Sequence, residues 1–312
     1  MSVAPVAWPL TEAQAGLWYA QQLAPANPSF NTAHGLWIDG PLDVAAFTAV
    51  ADQAAAECQS LRLALRLEGT EPVQWLDAAR VPRLDVVDLR ALADPREAAH
   101  AAMLQDIGTP LDPLKDALAL QRLYVVGPQS FCWYQRAHHL TNDGYGMALW
   151  AERVAQLYAQ AVAPGAPAAL APPLAPLQGV IDEDDAYRHG TRRSEEATWW
   201  RDAFTPLPEV AGQASGRAAP AHFCHHRSLH LSDDWRARVL AFAKAQGQTW
   251  PDVLTALTAL YCQRMAGAAE AVVGVPSMGR LGSACARATA TVMNVLPLRV
   301  AATRSGSTFI TV

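Results

Sequence analysis

The apolar positions of this chain switch between the two periods of regular structure, about 3.6 residues for helices and 2 for strands. Thr11-Glu-Ala-Gln14 has the form of a capping box: Thr11 closes a first turn and Gln14 reaches back, ahead of the apolar run Ala15-Gly-Leu-Trp-Tyr-Ala20. This predicts an N-terminal helix. Gly35 to Gly40 predicts a strand, Leu42 to Ala56 an alanine-rich helix, and the strict alternation of Leu61-Arg-Leu-Ala-Leu-Arg-Leu67 a second strand. Short strands are expected at Val73 to Leu76 and Leu84 to Val87. Asp94-Pro95 should start a helix running to about Ile107, because proline is pre-set for the first helical position.

Ala117 to Val126 reads as a strand, turned at Gly127-Pro128 into the apolar run Phe131-Cys-Trp-Tyr134, so the two should form a hairpin. The second of these is aromatic and sulfur-rich on both faces and is expected to be covered on both. It ends at His138-His139-Leu-Thr-Asn-Asp143-Gly144, and Gly144 opens the helical pattern Met147, Leu149, Trp150, Val154, Leu157, Tyr158. The stretch 163–176 is dense in proline and alanine and is the best candidate for a linker between lobes. Beyond it, helices are expected near 181–187, 197–204, 235–246 and 250–265. A buried strand is expected at 271–276, leading into Ser277-Met-Gly-Arg-Leu281, and another stretch at Thr291 to Val300.

At 312 residues, 51% of them hydrophobic, the chain can bury one large core or two moderate ones. The net charge is −5, and only Lys115 and Lys244 of the 24 basic residues are lysines. No basic run is interleaved with aromatics, so neither nucleic acid nor an anionic membrane is expected as a partner. The N-terminus has no basic segment ahead of an apolar one, and no apolar segment approaches spanning length; a soluble, cytoplasmic protein is expected. The cysteines, Cys58, Cys132, Cys224, Cys262 and Cys285, are odd in number and widely spaced, which predicts reduced, packed thiols. His222-Phe-Cys-His-His226, with His230 nearby, looks at first like a zinc site. On a strand from Phe223 to Leu231, however, Cys224, His226 and His230 share one face, His225 takes the other, and no second ligand cluster completes a tetrahedron. No metal site is expected.

The chemistry concentrates at His138 and His139. Neutral imidazole accepts a proton near physiological pH, which suits it to drawing a proton from an attacking amine or hydroxyl. Adjacent residues in extended backbone point to opposite sides, so one histidine should work and the other support. Asp143 either anchors the turn or orients an imidazole. Gly144 gives a place where a substrate can approach the backbone, and a helix N-terminus beside the histidines favours developing negative charge.

The full string His-His-x-x-x-Asp-Gly at 138–144 resembles the signature of nonribosomal peptide synthetase condensation domains, a motif shared with chloramphenicol acetyltransferase-like acyltransferases. Leu10 to Trp18 resembles the opening motif of that family through Gln14, Leu17 and Trp18. Gln59 to Leu65 resembles its second, with Leu61 and Arg62 kept and Cys58 and Gln59 standing where the family usually has His-Glu. The region of Ile181 to Phe204 resembles its fourth motif. Thr291 to Val300 resembles its fifth through Asn294, Pro297, Leu298 and Arg299, with Val292-Met293 where a Phe usually precedes Val-Asn. The likeness is greatest to N-terminal condensation domains of catecholate-siderophore synthetases.

This resemblance implies an α/β (α+β) fold of two chloramphenicol acetyltransferase-like lobes forming a V-shaped pseudo-dimer. Residues 1–162 would be the N-terminal lobe, 163–176 the linker and 177–312 a C-terminal lobe that ends early. It implies amide formation between a donor acyl thioester and an acceptor aminoacyl thioester, both carried on the phosphopantetheine of partner carrier proteins, with no cofactor bound directly. His139 would be the catalytic imidazole, as general base or by positioning the amine. His138, Asp143 and Gly144 would support it, and Asn294 would bind a carbonyl or thioester oxygen. Asp143 would pair with an arginine of the other lobe, Arg280 first, with Arg62 or Arg299 as alternatives; Arg62 read alone is a solvated strand residue or a structural ion-pair partner. The start at Met1 suggests that the donor, an acyl or aryl carrier protein, acts in trans, with the peptidyl carrier downstream in the same chain. Two other readings stand beside this one: a coenzyme A-dependent acyltransferase, and a non-catalytic docking or epimerisation-type relative.

Overall fold

The structure is a computed structural model that describes residues 6–163, 173–208, 221, 227–283, 285–302 and 308–311. They fall into two compact units, Met1–Ala186 with Met278–Met293, and Tyr187–Ser277 with Asn294–Val312.

In chain order the first unit contains β1 (Trp8–Pro9), α1 (Glu12–Leu23), β2 (Asn31–Asp39), α2 (Val44–Glu57), β3 (Leu63–Glu68), β4 (Glu71–Leu76), β5 (Leu84–Asp88), α3 (Pro95–Ile107), β6 (Ala119–Gly127), β7 (Ser130–His138) and α4 (Gly144–Val162). Helix α5 (Leu177–His189) passes from the first unit into the second. The second unit continues with α6 (Thr191–Ala203), α7 (Asp233–Ala245), α8 (Trp250–Ala266), β8 (Ala271–Ser277), β9 (Asn294–Ala302) and β10 (Thr308–Thr311). Two sheets belong to the first unit, in the orders β1-β4-β3 and β2-β7-β6-β5; the third, β10-β9-β8, belongs to the second.

The elements begin where side chains can satisfy the unpaired backbone donors of a first turn. Thr11 and Gln14 form the expected capping box on α1. Asp43, Asp94 and Asp143 accept from the backbone of α2, α3 and α4. The expected hairpin is present as the antiparallel pair β6–β7, and β5 joins β6 in parallel. Strand β7 is buried on both faces. Trp133 and Ala137 pack with Ala51, Ala54, Met147 and Trp150 of α2 and α4. Cys132 and Tyr134 pack on the other side with Ala99 of α3 and Tyr124.

Some expectations shift. The alternation from Leu61 does not make a strand throughout, because residues Gln59–Arg62 form a 3-10 turn and pairing starts at Leu63. The N–H of Leu61 donates to the carbonyl of Cys58, which takes that part of the alternating run out of the ladder. Strand β8, expected to be buried, alternates between sheltered and exposed positions. The stretch 163–176 lies outside the described residues except at its ends, as do His222 to His226; residues 227–231, the described part of the strand expected there, carry no strand pairing. No described helix is long and apolar enough to cross a membrane.

Candidate functional site

The twin histidines sit where the central ladder ends. The N–H of His138 donates to the carbonyl of Leu118 at 2.7 Å, and that of His139 turns to a different partner, the carbonyl of Phe30, also at 2.7 Å. The carbonyl of His138 then accepts from the Thr141 N–H (2.8 Å) and hydroxyl (2.9 Å), closing the turn that leads to α4.

The two imidazoles have different fates. His138 is 1% exposed. Its Nδ1 accepts from the N–H of Leu140 at 3.2 Å, so the ring proton sits on Nε2, which donates to Gln21 Oε1 at 3.3 Å. Burial pushes its pKa down to about 4, and the electrostatic influence of the neighbouring His139 and Arg136 acts in the same direction. His138 is therefore neutral and fully engaged near pH 7. His139 is half-buried; its Nδ1 is enclosed by protein and has no hydrogen-bond partner among the described residues, which leaves Nε2 as the ring nitrogen that reaches the surface.

Asp143, 1% exposed, works as a hub. One carboxylate oxygen accepts from the N–H of Gly146 at 2.8 Å, capping α4, and from Arg280 Nη2 at 2.8 Å. The other accepts from Arg280 Nη2 at 3.0 Å and from the N–H groups of Val292 and Met293, both at 3.2 Å. Its acceptor capacity is consumed by structure, so Asp143 does not orient either imidazole. Arg280 lies in the same compact unit as Asp143, within the segment Met278–Met293. It also donates to the carbonyls of Ala288 (2.7 Å) and Ala290 (2.9 Å), and its guanidinium stacks 4.9 Å from the centre of the Tyr145 ring.

At Gly144 an added Cβ would meet no atom within 4 Å, so the backbone there is open to approach. Gly146 is the sterically demanding glycine: a Cβ would fall 1.8 Å from Asn142 Oδ1. Gln14 holds the same turn from α1. Its Nε2 donates to the Leu140 carbonyl at 2.9 Å and to Gln74 Oε1 at 2.8 Å, while Gln74 Nε2 donates back at 2.7 Å. The opening motif thus braces the histidine turn.

Arg62, Arg299 and Asn294 make no hydrogen bond to this cluster among the described residues. Arg62 is in the first unit, half-buried, with its Nε unpartnered among the described residues. Arg299, in the second unit, pairs with Glu270 at 2.6 and 2.8 Å and donates to the carbonyls of Ala203 and Pro206, so it is not the partner of Asp143. Asn294, also in the second unit, is exposed and its Oδ1 accepts from the N–H of Val295 at 2.8 Å. Gln59 accepts from the N–H of Leu177, the first residue of α5, at 2.9 Å. Burial pushes the Cys58 thiol far above the ordinary thiol range, which makes it packing rather than chemistry. Among the described residues Cys58, Cys132 and Cys285 are free thiols. Among the described residues no three His, Cys, Asp or Glu side chains converge as metal ligands would.

Two residues near the histidines escaped the sequence reading. Thr291 donates its hydroxyl to the carbonyl of His139, and Ser60 donates to the carbonyl of Thr289. Both contacts join residues more than 150 positions apart, and no local pattern signals them.

Comparison with known proteins adds to this geometry. The model of a family described as the condensation domain matches residues 6–311. Isonitrile lipopeptide synthase of Streptomyces coeruleorubidus is 37% identical over 300 residues, covering 96% of this chain and 20% of its own length. Enterobactin synthase component F of Shigella flexneri is 30% identical over 299 residues, with 94% and 23% covered. A variant of the starter condensation domain of rhizomide synthetase, solved in complex with C8-CoA, superposes with a TM-score of 0.84 at 30% identity, covering 96% of this chain and 67% of that one. The first condensation domain of the CDA synthetase gives a TM-score of 0.81 at 30% identity, with 96% and 70% covered. The chain therefore spans about a fifth of the length of these synthases.

Proposed function

The chain belongs to the condensation-domain family, and from that premise we propose that it joins a donor acyl thioester to the amino group of an acceptor aminoacyl thioester, each presented on the phosphopantetheine arm of a carrier protein. The amino nitrogen attacks the donor carbonyl. A C–N bond forms, the C–S bond breaks, and the proton lost by nitrogen ends on the released donor thiol. The observation that carries this reading is the division of labour at the strand end: His138 has both ring nitrogens engaged, whereas His139 keeps Nε2 free at the surface with Nδ1 turned inward.

In this reading His139 Nε2 receives or holds the amine proton during attack. His138 supports the turn, Asp143 and Arg280 fix the start of α4, and Gly144 leaves room for the substrate. The N-terminus of α4 favours the oxyanion that develops on the carbonyl. Asn294 is assigned to a carbonyl or thioester oxygen, consistent with its exposed amide. The chemistry requires no metal or nucleotide from the protein. An aryl donor is the narrower form of this reading, carried only by the resemblance of the sequence motifs to those of catecholate-siderophore synthetases.

A second reading, a coenzyme A thioester as donor, is favoured by the likeness to a starter condensation domain solved with C8-CoA. One experiment separates the two. The full-length protein is incubated with an aminoacyl-loaded acceptor carrier and either an aryl- or acyl-loaded donor carrier or a free acyl-CoA, and the products are read by mass spectrometry. Amide formed from the loaded donor carrier supports the first reading, and amide formed only from the acyl-CoA supports the second. Absence of amide with every donor overturns both.

A further inference from the structure

The described residues of the segment Met278–Met293, all but Ala284, form a strap on the histidine turn. It wraps around Arg280, whose guanidinium collects the carbonyls of Ala288 and Ala290 before reaching Asp143. Gly279 starts it with φ +62°, and an added Cβ would fall 2.7 Å from the Val292 carbonyl oxygen, so only glycine closes the loop there. Further tethers near its end join the strap to the rest of the first unit. Ser60 donates to the Thr289 carbonyl, Thr291 donates to the His139 carbonyl, and the N–H groups of Val292 and Met293 donate to Asp143.

The Thr291 tether alone among these ends on His139. The peptide groups flanking the His139 side chain are both held from outside the β6–β7 hairpin, the N–H by Phe30 and the carbonyl by Thr291. Thr291 is 1% exposed, so its hydroxyl has no water to turn to, and its β-branch restricts χ1. Nδ1 of His139 meets no partner among the described residues, so the ring takes its direction from its backbone rather than from a hydrogen-bonded neighbour.

We infer that Thr291 is a positioning residue for His139: its buried hydroxyl fixes the His139 carbonyl and thereby the direction in which Nε2 meets the substrate amine. The inference rests on the assignment of His139 as the working imidazole. Displacing a catalytic group by about 1 Å can cost about a hundredfold in rate, so loss of one such tether should be visible in turnover rather than in substrate binding.

The test compares four variants of the full-length protein in amide formation between loaded carriers. Thr291→Val keeps shape and β-branching but removes the donor; kcat should fall about 10- to 100-fold with KM for both carriers within about threefold. Thr291→Ser restores a hydroxyl and should recover most of kcat. Ser60→Ala removes a hydroxyl tether to the same strap that does not touch His139, and should leave kcat within about threefold of the parent. His139→Ala should abolish product. If Thr291→Val does not accumulate folded, Thr291→Ala replaces it with the same expectation. Parental kcat in Thr291→Val, or equal losses in Thr291→Val and Ser60→Ala, overturns the inference while leaving the proposed function intact. Parental activity in His139→Ala overturns the proposed function itself.

Discussion

The two compact units treat apolar residues differently. In the first, Trp133, Trp150, Leu123 and Met147 are almost wholly enclosed, and all four clusters of buried apolar side chains found among the described residues belong to it. In the second, α7 and α8 also carry large apolar side chains, yet Phe242, Trp250, Leu257, Tyr261 and Met265 are each at least half exposed. The polar chemistry divides in the same way. The Asp143–Arg280 pair of the first unit is 1% and 4% exposed, whereas the Glu270–Arg299 pair of the second is 21% and 19% exposed. Hydrophobic periodicity makes an element, but the packing partner decides what each residue contributes. A catalytic side chain can be held to fractions of an ångström only where that packing is complete.

The largest expected effect contrasts two tryptophans. Trp150→Ala should cost about 3–5 kcal/mol in urea unfolding, because it opens a cavity against Trp133, Phe47 and Met147. Trp250→Ala, at the exposed start of α8, should cost under about 1 kcal/mol. Equal costs would erase the contrast between the units.

The ion pairs sharpen it further. Asp143→Ala strands the buried Arg280 guanidinium and uncaps α4, so a loss of roughly 3–5 kcal/mol is expected. Glu270→Ala, which breaks a partly solvated pair, should cost about 1–2 kcal/mol. Thermal melting of the two variants side by side reads the difference.

A smaller effect follows from His138. Its folded pKa of about 4 lies below the ordinary value of 6.5, so between these limits the unfolded chain binds the extra proton. Its contribution is complete above pH 6.5 and is lost as pH falls towards 4, by roughly 3 kcal/mol in all. His138→Gln should flatten the stability of the protein across that window; an unchanged slope would mean that the buried imidazole is not the group that titrates.

What the sequence made legible was local. The capping residues Thr11 and Asp94 follow from side chains reaching backbone within four residues, the β6–β7 hairpin from the turn at Gly127-Pro128, and the start of α4 from the apolar pattern after Gly144. The rank of Arg280 over Arg62 and Arg299 as the partner of Asp143 came from the family likeness, since nothing local relates positions 137 residues apart. Thr291 and Ser60 were invisible for the same reason: each acts through a neighbour that only the folded chain supplies. The open faces of α7 and α8 were equally unreadable, because an apolar stripe looks the same whether covered or bare.

The smallest expected effect probes those faces. Leu257→Gln or Phe242→Ser should change unfolding free energy by no more than about 0.5 kcal/mol while reducing self-association in light scattering. A loss near that of Trp150→Ala would show that α7 and α8 are covered in solution.

Two adjacent histidines are proposed to have separate work, His139 in the chemistry and His138 in the scaffold. Single-turnover amide formation between loaded carriers, measured at pH 7.5 with the His139→Ala and His138→Gln variants of the full-length protein, tests it directly. A folded His139→Ala variant should give no amide above the uncatalysed background, and His138→Gln, in which a neutral donor to Gln21 is kept, should give measurable turnover. Turnover by His139→Ala comparable to the parent, with His138→Gln inactive though folded, would contradict it.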